Sequence, residues 1–264
     1  MRAARSLRLR VADAADRALG RHDRYTPPRR HLDFVGDSDF RATGEEFLDH
    51  FRKLAGLQPT DRVLDVGCGI GRMARVLATE LRPPGSYDGF DIVHEAIEWC
   101  SRHYRDTPAP FRFTHADLRN ARYNPSGRAS AAAYRFPYDD GAFDLVIATS
   151  VFTHLLAPEA DNYIAECARV LAPGGRLFST WLLVDHDGEG ARGPAAAFDF
   201  DHREGEAFVD DPAVPEAAVG YGEDWLRSRL GSHGLDLCEP VHRGSWRGRS
   251  GLSFQDIVVA IAKT

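Results

Sequence analysis

The chain has 264 residues with a hydrophobic fraction of 43%, which is enough to bury the core of one large α/β domain or two small ones. Its formal net charge of −6 argues against a general nucleic-acid binder, because such proteins neutralise phosphates with Lys and Arg. The cysteines form no CxxC pair, which disfavours a zinc knuckle and suits a reduced, cytoplasmic location. No apolar run approaches the roughly 20 residues of a membrane span. A homo-oligomer stays open.

The N-terminal part differs in composition from the rest of the chain. Its first 30 residues carry nine Arg against three Asp, which resembles an amphipathic basic arm. The pattern Thr43-x-x-Glu46 predicts a capping box that opens a helix. We therefore divide the chain into a basic arm with cap helices over residues 1–58 and a ligand-binding domain over residues 59–264. Residues 31–51 are predicted to pack over the mouth of the ligand site.

Strand-like and helical patterns alternate along the second part. Strands are predicted at 62–66, 86–91, 111–115, 143–149, 175–182, 235–241 and 254–262. Helices are predicted at 43–56, 71–80, 94–104, 157–171 and 222–232. The alternation implies right-handed crossovers and a parallel sheet, whose last two strands pair antiparallel because no helix fits between them. Two inserted segments, 119–140 and 184–220, are long enough to be lids or binding elements.

The segment VLDVGCGIGR at residues 63–72 is a glycine loop after the first strand. A dinucleotide fingerprint of the form GxGxxG would place its third glycine at position 72, which is Arg. Asp65 adds a carboxylate at the strand end, where it would repel a pyrophosphate. These features disfavour an NAD-linked reductase and indicate a ligand with an ammonium or sulfonium group. The alternative is a merely tight strand-to-helix turn.

Two further acids end the second and third predicted strands. Asp91 is placed to accept both hydroxyls of a ribose, and Asp117 to accept the exocyclic amine of an adenine, with Leu118 against the ring. Each Asp alone is more often a helix cap or a turn former. Together with Asp65, in register with the glycine loop, they indicate an adenosine with a positively charged tail.

With these motifs the chain resembles a class I S-adenosylmethionine-dependent methyltransferase. The segments that carry the resemblance run in family order over about residues 60–182: VLDVGCGIGR, GFDIV, THADL, FDLVIATSVFTHL and RVLAPGGRLFST. The resemblance implies a doubly wound, Rossmann-like α/β fold with a seven-stranded sheet of order 3-2-1-4-5-7-6 and strand seven antiparallel. It implies S-adenosylmethionine as cofactor and S-adenosylhomocysteine as product.

The resemblance also implies the cofactor contacts. Gly67 and Gly69 would face the methionine moiety, Asp91 the ribose, and Asp117 with Leu118 the adenine. Asp65 would act through the methionine amino group or a water. The predicted cofactor-binding set is completed by Cys68, Ile92 and Ser150.

Residues after the fourth strand are candidates for the chemistry. An aliphatic hydroxyl needs a general base or a metal to react, and His154 in SVFTHL is the best-placed base. Ser150 and Thr153 are candidates to position the acceptor. The alternative for His154 is to brace the following helix. Tyr134, Trp181 and Trp246 are predicted at the rim, where they could stack on substrate, although such residues more often pack the core.

The inserted segment 184–220 is acidic, with ten acids against two arginines. Its motifs DHD and DFDH make Mg²⁺ a candidate ligand, bound by Asp185, Asp187, Asp199 and Asp201. A solvated acidic loop is the alternative. The segment after the fourth strand lacks the tetrapeptide of DNA amino-methyltransferases, which agrees with a small-molecule or glycan substrate and no nucleic acid.

Three weaker motifs, the FVGD entry, NPSG at 124–127 and SFQDIVVA near the end, resemble bacterial, including actinobacterial, methyltransferases of glycan pathways. The sequence therefore predicts O-methylation of a sugar or oligosaccharide hydroxyl, such as that of a mannoside. An N- or C-methyltransferase of a secondary metabolite and a non-catalytic S-adenosylmethionine-binding module remain alternatives.

Overall fold

The computed structural model describes residues 23–28, 39–184 and 197–264. The predictions for Asp185 and Asp187 and for most of the basic arm lie outside the described residues. Within the described ranges, none of the helices combines the length and the apolar character that crossing a membrane requires.

Five helices and eleven strands make up the regular structure of the described residues. The helices are α1 Phe40–Leu54, α2 Arg72–Glu80, α3 His94–His103, α4 Ala157–Val170 and α5 Glu223–Ser232. The strands are β1 Arg62–Val66, β2 Ser86–Asp91, β3 Phe111–His115, β4 Phe143–Ala148, β5 Leu171–Trp181, β6 Leu183–Val184, β7 His202–Glu204, β8 Ala207–Val209, β9 Val219–Gly222, β10 Leu235–His242 and β11 Asp256–Ala262.

The main sheet is mixed and contains seven strands in the order β10-β11-β5-β4-β1-β2-β3. Strands β1, β4 and β5 run parallel, and so do β2 and β3, whereas β11 is antiparallel to β5 and β10. The predicted α/β class and the antiparallel pairing of the last two strands are therefore confirmed. The observed order 3-2-1-4-5-11-10 differs from the predicted 3-2-1-4-5-7-6 only in the labels of the last two strands, because the four strands of a second sheet lie between β5 and β10 along the chain.

The chain packs as two compact units. The first takes in the described residues before Arg62 together with Cys68–Ala116, and the second takes in Arg62–Gly67 with the described residues from Asp117 onward. The predicted boundary between residues 58 and 59 stays a prediction. In the second unit, β1, β4 and β11 are buried over nearly their whole length, as expected for central strands covered on both faces.

The inserted segment after β5 contributes to a second, smaller sheet. Its order is β6-β9-β8-β7, with β6 parallel to β9 and the other two pairs antiparallel. A hydrophobic cluster in the second unit comprises Leu182, Val184, Phe200, Ala218 and Trp246. The described part of this insertion is therefore a packed element, and its assignment as a lid or binding element stays a prediction.

Helix α1, in the first unit, begins earlier than predicted. It starts at Phe40, and the carboxylate of Asp39 accepts the N–H groups of Arg41 and Ala42 at 2.9 and 2.8 Å. An aspartate in this position satisfies backbone donors that have no partner inside the helix. Thr43 lies inside the first turn, so the prediction of a capping box at Thr43 is wrong. The helix contains three more residues at its start than the pattern indicated.

The short segment 23–28 is anchored to the first unit by charge and by stacking. The side chain of Arg75 in α2 bonds to Asp23 at 2.7 Å and to Glu45 of α1 at 2.9 Å. The ring of Tyr25 stacks on that of Tyr104, with 4.7 Å between the centroids. A chain segment near the N-terminus is thereby held against the helix that follows the glycine loop.

Asp256 is a fully buried carboxylate at the start of β11. Its Oδ2 accepts the N–H of Leu183 at 2.7 Å and the indole N–H of Trp246 at 2.8 Å, and its Oδ1 accepts the N–H of Gly244 at 2.8 Å. One side chain therefore joins β11 to β6 and to the turn that follows β10. A buried charge is tolerated where several donors surround it.

Replacing Asp256 with Ala is expected to lower the free energy of unfolding by about 3 kcal/mol, because three buried donors lose their acceptor. Urea unfolding followed by tryptophan fluorescence measures this loss. Asp236→Ala is the control, since it removes a carboxylate of β10 from an exposed pair with Lys263 at 3.3 Å and should change stability little. Equal losses in the two variants would contradict the role assigned to Asp256.

Candidate functional site

The glycine loop is tied to the end of β2 inside the first unit. The N–H of Cys68 donates to the carbonyl of Phe90 at 3.0 Å, and the N–H of Gly69 donates to Oδ2 of Asp91 at 2.8 Å. The loop then closes on itself, because the N–H of Gly71 donates to the carbonyl of Cys68 at 3.0 Å. The structure therefore brings Gly69 into direct contact with Asp91 and bonds Cys68 to the residue before Asp91.

The carboxylate of Asp91 holds the two segments that follow β1 and β2. Besides the Gly69 N–H, it accepts the N–H of Val93 at 2.8 Å through Oδ1. Burial raises the pKa of Asp91, and these backbone donors oppose the rise. The neighbouring Ile92 presents its carbonyl to Nε2 of His115 at 3.2 Å. An ionised carboxylate has about four acceptor positions, so Asp91 can accept further donors.

The loop requires glycine at two positions for different reasons. Gly69 has a φ of +52° and no atom within 4 Å of the position that a Cβ would take. Gly71 has a φ of +84°, and a Cβ there would meet Sγ of Cys100 and the hydroxyl of Tyr104, each at 3.1 Å. Both backbones are left-handed, which favours glycine. Gly69 also leaves its backbone accessible to a ligand, whereas Gly71 is needed for packing.

Asp65, in the second unit, lies near the end of β1, and Gly67 is the first residue after this strand. Asp65 is fully buried. Gly67 has a φ of +70°, and a Cβ there would lie 2.6 Å from Cγ2 of Val151. The loop after β4 therefore packs directly on the glycine that follows β1. This contact joins two segments that the sequence analysis assigned to the same site.

Asp117 has a partner that the sequence analysis did not anticipate. Its Oδ2 accepts Nε of Arg128 at 2.5 Å, and its carbonyl accepts the N–H groups of Arg128 and Ala129, each at 3.1 Å. Leu118 beside it is buried, and a Cβ at Gly127 would lie 2.2 Å from the Leu118 carbonyl oxygen. Part of the inserted segment 119–140 is therefore folded tightly against Asp117 and Leu118.

Ser150 lies in a polar network of the second unit. Its N–H donates to Oγ1 of Thr180 at 2.7 Å, and its hydroxyl donates to Oε1 of Gln255 at 3.0 Å. Thr180 also donates to Oε1 of Gln255, at 2.6 Å. The network joins the loop after β4, the end of β5 and the start of β11.

His154 lies in a short 3₁₀ turn after β4 and is half-buried. Its Nδ1 is 2.9 Å from the carbonyl oxygen of Glu216, and its ring meets that of Tyr123 edge-on at 5.5 Å between centroids. A carbonyl only accepts, so Nδ1 carries the proton and Nε2 is the basic atom. Burial lowers the pKa of His154. The neighbouring Thr153 is buried, and its hydroxyl has no hydrogen-bond partner among the described residues.

The predicted rim aromatics are mostly inside the protein. Trp181 is fully buried, and its ring stacks on Phe152 with 4.1 Å between centroids. Trp246 is also fully buried and donates to Asp256. These two positions correct the expectation of exposed stacking residues, because both indoles fill the core. Tyr134 is partly exposed, and burial raises the pKa of its hydroxyl.

Of the acids proposed as metal ligands, the structure describes Asp199 and Asp201. Asp199 and Asp201 are exposed, and the N–H of Asp199 donates to a carboxylate oxygen of Asp210 at 2.6 Å. Within residues 23–28, 39–184 and 197–264, no group of three or more His, Cys, Asp or Glu side chains has the arrangement of a metal site. The structure thus gives no geometric support for Mg²⁺ at these acids.

Sequence reasoning missed the partners of the candidate residues. Arg128, Thr180, Gln255 and the carbonyl of Glu216 each contact a predicted site residue. No motif marks them, because the pairs are separated by up to 105 residues along the chain. Only the NPSG turn before Arg128 carries a local signal, since its glycine permits a close backbone approach.

Comparison with known proteins connects this geometry to a family. Residues 64–179 match a family model described as a methyltransferase domain. A fatty-acid O-methyltransferase of Mycolicibacterium smegmatis is 34% identical over 119 residues, which are 45% of this chain and 36% of that protein. The 27-O-demethylrifamycin SV methyltransferase of Amycolatopsis mediterranei is 34% identical over 153 residues, which are 55% of this chain and 49% of that protein.

A solved structure shares the fold. Magnesium protoporphyrin IX methyltransferase from Synechocystis PCC 6803, with bound S-adenosylhomocysteine, has a TM-score of 0.53 at 18% identity, covering 89% of this chain and 92% of that one. At this identity the likeness shows the fold alone. The chain spans half or less of the length of the two curated relatives described above.

Replacing Gly67 with Ala is expected to lower the free energy of unfolding by about 2 kcal/mol or more, because a left-handed backbone is combined with a contact to Val151. Gly174→Ala is the matched control. Its φ is +75° and no atom lies within 4 Å of the Cβ position, so it should cost about 1 kcal/mol from backbone strain alone. Urea unfolding measures both, and equal losses would show that the Val151 contact is unimportant.

Proposed function

We propose that the protein transfers the methyl group of S-adenosylmethionine to a hydroxyl group of a small molecule, on the premise that residues 64–179 match the family model of a methyltransferase domain. The observation that carries the proposal is the glycine loop bonded to Asp91 through the Gly69 N–H. A loop of this form leaves the backbone at Gly69 accessible to a ligand and places the carboxylate of Asp91 beside that backbone.

The residues of the loop fit this cofactor. The open space at the Cβ position of Gly69 would admit the methionine moiety close to the backbone. Asp91 keeps acceptor capacity for the two ribose hydroxyls after binding the Gly69 and Val93 N–H groups. When bound, S-adenosylmethionine supplies a methyl group on a positively charged sulfur.

Other predicted contacts follow the same assignment. Asp65 and Gly67 would serve the methionine end, with Cys68 and Ile92 as flanking backbone. Asp117 would hold the adenine amine only by sharing its carboxylate with Arg128, whose Nε donates to Oδ2 at 2.5 Å, and with Asn124, whose Nδ2 donates to Oδ1 at 3.5 Å. The assignment of Asp117 to the adenine amine therefore requires its carboxylate to be shared with protein donors, Arg128 among them.

His154 is the proposed general base. The Nδ1–H bond to the Glu216 carbonyl orients the ring and leaves Nε2 to take the proton of the acceptor hydroxyl. The lowered pKa keeps the imidazole neutral, and therefore able to accept a proton, near pH 7. We assign positioning of the acceptor to Ser150 and Thr153. The buried Thr153 hydroxyl supports this, since it bonds to no described residue.

The names of relatives guide the choice of acceptor. The two relatives described above are named for a fatty acid and for a rifamycin, and one is named as an O-methyltransferase. We therefore propose a hydroxylated small molecule, lipid or secondary metabolite. The sugar hydroxyl suggested by weaker motifs is a further arm of the acceptor screen, as is dependence on Mg²⁺.

The cofactor assignment predicts that wild-type protein binds S-adenosylhomocysteine in isothermal titration calorimetry. Asp91→Asn should weaken binding by about tenfold or more, because the amide has fewer acceptor positions and no charge. Asp88→Asn, on the same strand and paired with Arg112 at 3.3 Å, is the matched control and should bind as wild type does. No binding by the wild type would refute the proposed function.

The assignment of His154 as the base predicts that methyl transfer to a hydroxyl acceptor depends on this residue. Turnover is measured by mass spectrometry in a screen of acceptors. The rate with a hydroxyl acceptor should rise with pH through the lowered pKa of His154 and be constant above it, because only the neutral ring accepts a proton. His154→Ala should lose about 100-fold or more in kcat together with this pH dependence. His202→Ala, on exposed β7, is the control.

The screen is run with Mg²⁺ and with a chelator. A His154→Ala variant that retains turnover would indicate transfer to nitrogen or carbon, which needs no alkoxide.

A further inference from the structure

Ser150 has a backbone conformation that serine does not favour. Its φ is 56°, and it is the single non-glycine residue with a positive φ within the described ranges. In this left-handed region the Cβ of any residue other than glycine lies too close to the residue's own backbone. A conformation of this kind persists only where neighbouring groups impose it, and such residues concentrate at functional sites.

The side chains of Thr180 and Gln255, both distant along the chain, impose the conformation of Ser150. Thr180, fully buried in β5, accepts the Ser150 N–H at 2.7 Å. Gln255, just before β11, accepts the Ser150 hydroxyl at 3.0 Å and the Thr180 hydroxyl at 2.6 Å. Both ends of Ser150, its backbone and its side chain, are therefore held by a network that neither partner could form alone.

The residue after Ser150 is the one that packs on the glycine loop. Cγ2 of Val151 would lie 2.6 Å from a Cβ at Gly67, so the Val151 side chain packs against this position only because glycine has no Cβ. The direction of the chain at Ser150 decides where Val151 is placed. A relaxed Ser150 would move Val151, and the turn at Gly67 would lose its support.

We propose that Thr180 and Gln255 are positioning residues for cofactor binding, which act by holding Ser150 in its left-handed conformation and so pressing Val151 against Gly67. The inference rests on the proposed function, since it takes Gly67 to belong to the S-adenosylmethionine site. Neither Thr180 nor Gln255 needs to touch the cofactor for this role.

The test is a set of double variants in which glycine removes the strain. Thr180→Val keeps the buried shape but cannot accept the Ser150 N–H, and it should weaken S-adenosylhomocysteine binding by about tenfold, the size of effect that left-handed strain produces. Adding Ser150→Gly to Thr180→Val should recover at least about threefold of the lost affinity, because glycine adopts this φ without help, whatever the serine hydroxyl itself contributes to binding. Adding Ser150→Ala instead should restore nothing.

A neighbouring buried hydroxyl provides the control. Ser179→Ala removes hydrogen bonds to Trp181 at 2.8 Å and Val258 at 3.4 Å, so it should lower the melting temperature. It should not cause a tenfold loss of affinity for S-adenosylhomocysteine, and adding Ser150→Gly should not raise its affinity. If Thr180→Val does not fold, Gln255→Leu, at a half-buried position, takes its place. Circular dichroism and thermal unfolding establish folding for each variant.

The outcomes separate the two proposals. Binding by wild type, loss in Thr180→Val and rescue by Ser150→Gly support the inference. Binding by wild type with unchanged affinity in Thr180→Val, or loss that glycine does not rescue, overturns the inference and leaves the proposed function standing. No binding by wild type overturns the proposed function and this inference with it.

Discussion

The bond from the Gly69 N–H to the Asp91 carboxylate is the constraint on which the candidate site depends. It joins the glycine loop to the end of β2 over a distance of 2.8 Å. A left-handed backbone at Gly69 points this N–H at the carboxylate, and only glycine adopts that backbone without strain. The geometry of the loop is thus fixed by a charge-assisted hydrogen bond, which is stronger than one between neutral groups.

Several acidic side chains in this protein accept hydrogen bonds from N–H groups of the protein itself. Asp91 binds two N–H groups, Asp256 binds two and an indole, and Glu166 binds the N–H of Phe136 at 2.7 Å together with Arg169. A segment that leaves a strand has donors without partners in the sheet, and a carboxylate can accept several of them. An acid at a strand end is therefore ambiguous in sequence, because holding a loop and binding a ligand require the same residue.

The segment that follows β4 combines a strained backbone with buried polar side chains. Ser150 is held in a left-handed conformation, Thr153 is buried with a hydroxyl that bonds no described residue, and His154 is kept neutral by burial. Each of these states costs free energy that the surrounding packing of Trp181 on Phe152 and the fully buried strands offset. The concentration of such states in one short segment favours function over stability there.

The sequence by itself determined the strands and helices of the main sheet, the glycine loop and the acid after β2, because these depend on periodicity and on short-range spacing. It did not determine the start of α1, since Asp39 and Thr43 are both competent caps and tertiary packing selects between them. It placed Trp181 and Trp246 at a rim, whereas both fill the core, because aromatic side chains suit either place. The pairing of Asp117 with Arg128, and of Ser150 with Thr180 and Gln255, was decided only in the folded chain. Those contacts join residues from different elements, and local sequence carries no record of which distant side chain a strand end will meet.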